Sequence, residues 1–229
     1  MMIEEKNRVV VNNIEAGQEE VFTKVYEELG WSKHQIESVS GTGSTLENTE
    51  ILRSELPKVC KKYNINNIVD IACGDFNWMK EIVSEFKYYR GVDIVKDLIK
   101  ANKEKYKKIE NVDFIVADVI TEFDKCVKGK DIDAVILKDV LVHFPDKHII
   151  KVLDSLHKSS IKYVFITHFD SLKINCDIKE FNGWRPQNFT LSPWGMDKPL
   201  ESIASPTEKY KWGENIHNSD KTLSLWQIK

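Results

Sequence analysis

The groups in this chain best suited to chemistry are four aspartates and two histidines, each near the end of an apolar run. Ile68-Val69-Asp70-Ile71-Ala72-Cys73-Gly74-Asp75-Phe76 reads as a buried strand that stops in a tight, acidic turn of small residues. Tyr89-Arg90-Gly91-Val92-Asp93 ends a second apolar run on a carboxylate, 93 − 70 = 23 positions after the first. Phe114-Ile115-Val116-Ala117-Asp118 and Ala134-Val135-Ile136-Leu137-Lys138-Asp139 end a third and a fourth in the same way. Small residues in such a turn let a ligand approach the backbone. Carboxylates at successive strand ends suit a ligand rich in hydroxyl and amino donors. His143 lies four residues after Asp139, and His168 stands in Ile166-Thr167-His168-Phe169. Imidazole titrates near neutrality, so either histidine suits the removal of a proton from a reacting hydroxyl.

Positioning such groups requires a sheet. From residue 65 to about 169 the chain alternates strand and helix, the pattern of a parallel sheet covered on both faces. Strands are expected over about 66–71, 88–93, 112–117, 132–138 and 161–168. A helix is expected directly after the first turn, with Trp78, Met79, Ile82, Val83 and Phe86 at helical spacing. Another runs from Asp146 to about Ser159, with Ile149, Ile150, Leu153 and Leu156 on one stripe. The rim formed by the carboxyl ends of the strands is where an open α/β sheet binds its ligand. Four acids in order along that rim say more than isolated turn formers would.

Residues 1–64 read as a helical cap over the sheet. One helix is expected over about 15–29, with Val21, Val25 and Leu29 on one side. After the loop Ser38-Val39-Ser40-Gly41-Thr42-Gly43-Ser44-Thr45, Ser44 and Glu47 carry a capping-box signature. The following helix has Leu46, Leu52, Leu56 and Val59, with Pro57 placed to kink or divide it. Residues 170–199 hold two tryptophans and three prolines with little periodicity, the mark of a long functional loop. Residues 200–204 and 223–228 read as an antiparallel strand pair closing the sheet. The whole is expected as one domain: cap 1–64, core 65–169, loop 170–199, strand pair 200–229.

The bulk composition narrows the partners. The 229 residues are 41% hydrophobic and 30% charged, with 33 basic and 36 acidic side chains and a formal net charge of −3. No basic block marks a nucleic-acid surface, so a small-molecule substrate is expected instead. Cys60, Cys73, Cys126 and Cys176 include no CxxC pair, and the first residues lack a signal-peptide pattern. No apolar run approaches the roughly 20 residues that cross a bilayer. These features point to a reducing, cytoplasmic setting with free thiols and no membrane partner. No metal-ligating cluster stands out, and the assembly state stays open.

From about residue 65 to its end, the chain resembles the class I S-adenosylmethionine (SAM)-dependent methyltransferases. In that family the first strand and turn read acid-x-Gly-x-Gly-x-Gly. Here Asp70-Ile71-Ala72-Cys73-Gly74-Asp75-Phe76 keeps the acid and the central glycine, with Ala72 and Phe76 in place of the outer two. The resemblance implies a Rossmann-like α/β fold with a mostly parallel seven-stranded sheet and an antiparallel C-terminal pair. It implies SAM as cofactor, with Asp70 at its amino end, Gly74 beneath its methionine part, Asp93 on the ribose hydroxyls, and Asp118 with Val119 facing the adenine. Ala72, Asp75, Trp78, Ile94 and Lys138 complete the cofactor contacts implied. A nicotinamide cofactor fits less well, because Asp75 would repel a pyrophosphate where that family needs Gly-x-Gly-x-x-Gly.

The flanks are similar to a narrower group of bacterial methyltransferases associated with capsule or surface-polysaccharide modification. The segments concerned are Gly41-Thr42-Gly43-Ser44-Thr45-Leu46-Glu47-Asn48-Thr49, Cys73-Gly74-Asp75-Phe76-Asn77-Trp78-Met79, Lys138-Asp139-Val140-Leu141-Val142-His143 and Gly183-Trp184-Arg185-Pro186. This similarity implies methyl transfer to a sugar hydroxyl, on a sugar or nucleotide sugar. His143, oriented by Asp139, is then the first candidate for the base, and His168 is the second. Trp184 could stack on a sugar, and Arg185 could hold a phosphate or carboxylate. Two other readings stand beside this one: N-methylation of a small amine, and a SAM-fold binding protein without catalysis.

Overall fold

The computed structural model describes residues 17–28, 37–205, 210–212, 215–217 and 220–228. Strands β1 (Asn67–Ile71), β2 (Tyr88–Asp93), β3 (Val112–Val116), β4 (Ala134–Leu137) and β5 (Tyr163–Phe169) are parallel. With β6 (Glu201–Ala204) and β9 (Lys221–Gln227) they make a seven-stranded sheet of order β3-β2-β1-β4-β5-β9-β6. β9 runs antiparallel to both β5 and β6. Among the described residues, β7 (Tyr210–Trp212) and β8 (Asn215–His217) pair with each other in a separate two-stranded sheet. The strand order reverses between β1 and β4, which opens the rim crevice there.

Alternation along the strands divides the core. Val69 and Ile71 of β1, Val135 and Leu137 of β4, and Val164 and Ile166 of β5 face one side. There they meet Ile149, Val152, Leu153 and Leu156 of α5 (Asp146–Lys158) and Phe22 of α1 (Gln18–Glu27). Ile68, Ala134, Ile136, Phe165, Leu223 and Leu225 face the other side, against Leu52, Leu56 and Cys60 of α2 (Glu50–Lys62). Two further helices, α3 (Lys96–Tyr106) and α4 (Phe123–Val127), follow β2 and β3. Strands buried on both faces explain the near-continuous apolar runs of the sequence.

Several expected elements differ. The segment after the first turn is not an α-helix but two 3₁₀ turns, Met79–Glu81 and Val83–Glu85. Its N–H groups bond three residues back, Glu81 N to Trp78 O, Ile82 N to Met79 O and Phe86 N to Val83 O, and the Asn111 amide donates to Val83 O and Phe86 O at its end. The capping box does not form, because Ser44 closes a separate 3₁₀ turn (Thr42–Ser44) and α2 begins at Glu50. Thr45 instead caps Asn48 through its hydroxyl. Pro57 sits inside α2 without dividing it. Ile150 is exposed, and Val152 takes its expected place on the buried stripe. Residues 15–16 and Leu29 of the expected first helix lie outside the described residues.

Candidate active site

The turn after β1 keeps a backbone path that normally calls for glycine. Ala72, Gly74 and Phe76 have φ of 59°, 59° and 60°. A left-handed conformation costs a non-glycine residue about 1–2 kcal/mol. Phe76 offsets this by complete burial, with its ring 4.9 Å from Tyr89, 4.9 Å from Tyr106 and 5.2 Å from Phe114. Gly74 is required twice over, since a Cβ there would lie 2.3 Å from Ser40 Oγ.

That contact belongs to a latch. The Ser40 hydroxyl accepts from Asp75 N at 2.9 Å and lies 3.1 Å from the Tyr26 hydroxyl of α1. Asp75 in turn accepts from Val39 N at 2.9 Å and from Asn77 N at 3.2 Å. Asp75 and Gly74 are thus held under the segment that precedes the sheet.

The acids separate into different roles. Asp70 is buried and accepts from the Tyr89 hydroxyl at 2.9 Å. Burial pushes its pKa up to about 7, against the opposing Tyr89 hydrogen bond and Lys138, with Asp93 adding to the rise. Asp93 is buried and accepts from Gly74 N at 3.1 Å and Val95 N at 3.0 Å. Burial pushes it up to about 6 despite those backbone donors. Asp118 lies two residues beyond β3 as a turn former. It accepts from Ile120 N at 2.8 Å and from the Thr121 hydroxyl at 3.0 Å, while its own N–H is taken by Glu122 at 3.1 Å. Val119 beside it is buried, and Ile94 packs on the same core.

At the end of β4, Asp139 has φ 56° and accepts from two lysines and a threonine. Lys138 Nζ lies 2.7 Å and Lys221 Nζ 3.0 Å from Oδ2, and the Thr167 hydroxyl is 3.2 Å from Oδ1. Burial alone would raise the pKa of Asp139, but the two ammonium groups outweigh it and hold the carboxyl far below the usual carboxylate range. Asp139 is therefore a fixed anion and a poor base. Lys138 also donates to Gly43 O at 3.0 Å and lies 5.9 Å above the buried Trp78 ring. Gly43 packs so near this cluster that a Cβ would stand 3.3 Å from Asp139 Oδ2.

Lys221 and Thr167 were not foreseen from the sequence. Because β9 is antiparallel, its first residue reaches the same rim as the last residues of β5, where Lys221 pairs with Phe169. The available signal was a lysine opening an otherwise apolar, alternating strand.

His143 closes the 3₁₀ turn Leu141–His143. Its Nδ1 lies 2.9 Å from the carbonyl oxygen of Gly183. A carbonyl only accepts, so Nδ1 carries the proton and the lone pair of the neutral ring sits on Nε2. Burial lowers its pKa below the ordinary histidine value; the Gly183 bond and the charge of Asp139 oppose this, and Arg185 and Lys221 reinforce it. The expectation that Asp139 orients the ring is corrected here. Gly183 holds Nδ1, and Asp139, committed to its lysines, acts on the ring as a charge.

Two further expectations are corrected. His168 does not turn toward that rim cluster: alternation puts Thr167 on the Asp139 side and His168 on the opposite face. There it is buried, its Nδ1 accepting from Phe189 N at 3.2 Å and its ring packed edge-on to Trp226 at 5.4 Å. Arg185 is fully buried rather than turned to a substrate, with its donors committed to Cys176, Leu141, Val142 and Asp146. Trp184 remains half-buried, packed edge-on to Phe169 at 6.0 Å. His148 is partly buried against Phe181, with ring centroids 4.7 Å apart.

Residues 68–160 match the family model described as a methyltransferase domain. Among solved structures, the chain is similar to magnesium protoporphyrin IX methyltransferase from Synechocystis PCC 6803, crystallised with bound SAM. That match has a TM-score of 0.60 and 11% identity, and covers 94% of this chain and 99% of that one. It is also similar to a protein from Pyrococcus horikoshii OT3, with a TM-score of 0.54, 21% identity, and coverage of 82% and 94%. The chain spans 66% of the methyltransferase domain of bacterial CtHen1, with a TM-score of 0.44 and 15% identity. No curated protein sequence matches it. The fold is thus the class I methyltransferase fold expected from the sequence, with a mostly parallel seven-stranded sheet and an antiparallel C-terminal pair.

Proposed function

We propose that this chain is a SAM-dependent methyltransferase, residues 68–160 of which match the methyltransferase-domain model, and that it methylates a sugar hydroxyl with His143 as the general base. The residues of the crevice fit the cofactor. The turn keeps the glycine-type backbone at all three family positions, and two buried carboxylates, Asp70 and Asp93, are pushed up by burial in spite of the donors and charge they already have. A hydroxyl-bearing cation would add donors and positive charge that favour their ionised forms. Asp93 would hold the ribose hydroxyls, Asp70 the amino end, and Asp118 with Val119 the adenine. When bound, SAM would supply an electrophilic methyl carbon on a sulfonium, so that the new oxygen–carbon bond would form as the carbon–sulfur bond breaks and the neutral thioether leaves.

The observation that carries the choice of base is the Nδ1 contact of His143 with Gly183 O, which puts the basic lone pair on Nε2 of a ring kept neutral by burial. Nε2 takes the acceptor proton as the oxygen–carbon bond forms, and the Gly183 carbonyl and the Asp139 charge stabilise the imidazolium. Alignment of the acceptor contributes the remainder. Trp184, beside Gly183, offers an aromatic face for a sugar, which together with the similarity of the flanking segments supports a polysaccharide precursor as acceptor in a cytoplasmic setting. Among the described residues no helix is long and apolar enough to cross a membrane.

The test is turnover of SAM with pooled nucleotide sugars and, separately, pooled small amines. Product from sugar hydroxyls that is lost in His143→Ala supports the proposal. Turnover with amines alone, insensitive to His143, replaces it with N-methylation. Binding of SAM with no acceptor turned over leaves the non-catalytic reading.

A further inference from the structure

We infer that Arg185 is a positioning residue that fixes the tautomer and the place of His143; this inference rests on His143 being the base. The guanidinium is fully buried in the loop between β5 and β6. Its Nε donates to Cys176 O at 2.9 Å, and Nη1 donates to Leu141 O and Val142 O, both at 3.2 Å. Nη2 pairs with Asp146 Oδ1 at 2.5 Å, at the start of α5. The backbone N–H of Arg185 donates to Val142 O as well, at 3.2 Å.

Leu141 and Val142 immediately precede His143, in the short turn closed by His143 N donating to Val140 O. Gly183, whose carbonyl receives Nδ1, lies two residues before Arg185. One residue therefore grips the backbone that presents the histidine, and its own loop supplies the acceptor for the ring. Displacing Arg185 moves both at once.

A purely mechanical anchor would not need a guanidinium here. Burying one costs several kcal/mol before pairing, and apolar residues of similar volume often hold a structure as well. What an apolar side chain cannot do is donate in a fixed fork to two successive carbonyls and a carboxylate. Lysine has the charge without the fork, so Arg185→Lys should recover the fold more fully than the alignment.

The experiment uses the full chain labelled with 15N-histidine, together with steady-state kinetics of Arg185→Lys, Arg185→Met and His143→Ala. The wild type should show the His143 ring protonated at Nδ1 without any acceptor present. Arg185→Met, checked to be folded by its melting curve and its SAM-induced shift, should lose that tautomer. Its kcat should fall at least tenfold with the KM for SAM unchanged, and the acidic limb of its kcat/KM profile should move. Arg185→Lys should lie between the two. A wild-type ring protonated at Nε2, or a folded variant with unaltered tautomer and pH profile, overturns the inference. Should both variants fail to fold, the wild-type spectrum and an Asp146→Asn variant, which keeps the guanidinium but loosens it, decide the matter by the same readouts. Wild-type turnover in His143→Ala overturns the base assignment instead, whatever the tautomer proves to be.

Discussion

Lys221 Nζ and Asp139 Oδ2 meet at 3.0 Å across the sheet, joining the first residue of the antiparallel strand β9 to the rim beyond β4. With Lys138 on the other side, Asp139 is the anion between two ammonium groups. Removing it should therefore cost more than removing either lysine. Asp139→Asn is expected to destabilise by about 3–5 kcal/mol, the usual cost of leaving a buried charge uncompensated. Adding Lys221→Met should restore part of that loss. Denaturant unfolding of the two single variants and the double variant measures the coupling, and additive losses would mean that the lysine and the carboxylate act independently.

Asp70 gives a prediction with a definite sign. A carboxyl raised from 3.8 to about 7 on folding favours the folded state fully below about pH 4. That contribution is lost as pH rises through about 7, to a total of roughly 4 kcal/mol. Asn at this position still accepts from the Tyr89 hydroxyl and never ionises. Without cofactor, Asp70→Asn should melt higher than the wild type at pH 8, with the advantage vanishing toward pH 4. Equal melting temperatures at both pH values would show that Asp70 is not under strain from its burial.

Asp93 tests the cofactor assignment. SAM should raise the melting temperature, as any ligand selective for the folded state does, and NAD should not. Asp93→Ala should weaken SAM by roughly 1–3 kcal/mol, the worth of hydrogen bonds to a charged acceptor. Its loss also orphans Gly74 N and Val95 N, so the melting curve without ligand must be recorded beside the calorimetry. Unchanged affinity in a folded variant would make Asp93 a turn residue only.

The two histidines should now separate cleanly. His143→Ala should lower kcat roughly 10²–10⁴-fold, the range of a positioned general base, with SAM affinity kept. In the wild type, kcat/KM should fall as pH drops through a value below the ordinary histidine range, since burial lowers His143. His168→Gln should lower the melting temperature through its contacts with Phe189 and Trp226 and leave kcat near that of the wild type. A large loss of kcat with intact folding would return His168 to the mechanism.

Phe76 allows a test of the turn itself. Phe76→Gly relieves the left-handed backbone, worth about 1–2 kcal/mol, but forfeits a buried aromatic side chain, worth about 3–5 kcal/mol. The net expectation is destabilisation with SAM affinity retained. A variant more stable than the wild type would show that backbone strain outweighs the packing of Tyr89, Tyr106 and Phe114.

The sheet was legible because each of its parallel strands is an apolar run bounded by polar turns, and the rim acids sit where those runs stop. Asp93 needed nothing more than that. Arg185 was not legible, since a sequence records a cation but not whether its donors meet solvent, a ligand or the chain's own carbonyls. His168 was misdirected because position along β5 fixes only its height in the sheet, whereas its face follows from alternation counted from Thr167. Lys221 lay beyond reach for a topological reason: only the reversal of β9 carries residue 221 back to Asp139, 82 positions away in sequence. Between Met79 and Glu85 the apolar spacing was helical, but the backbone closes three-residue bonds there and Asn111 claims Val83 O and Phe86 O at its end.

The position of β9 also orders events during synthesis. Strand β6 is made before β9 yet touches the sheet only through it, because β9 lies between β5 and β6. A ribosome-bound chain that has completed 201–204 therefore carries a strand with no place to pair. It also carries the Asp139 carboxylate with just one of its two lysines. Emergence of residues 221–227 gives β6 its partner strand and brings in Lys221, so the rim gains its second lysine only when the sheet is extended past β5.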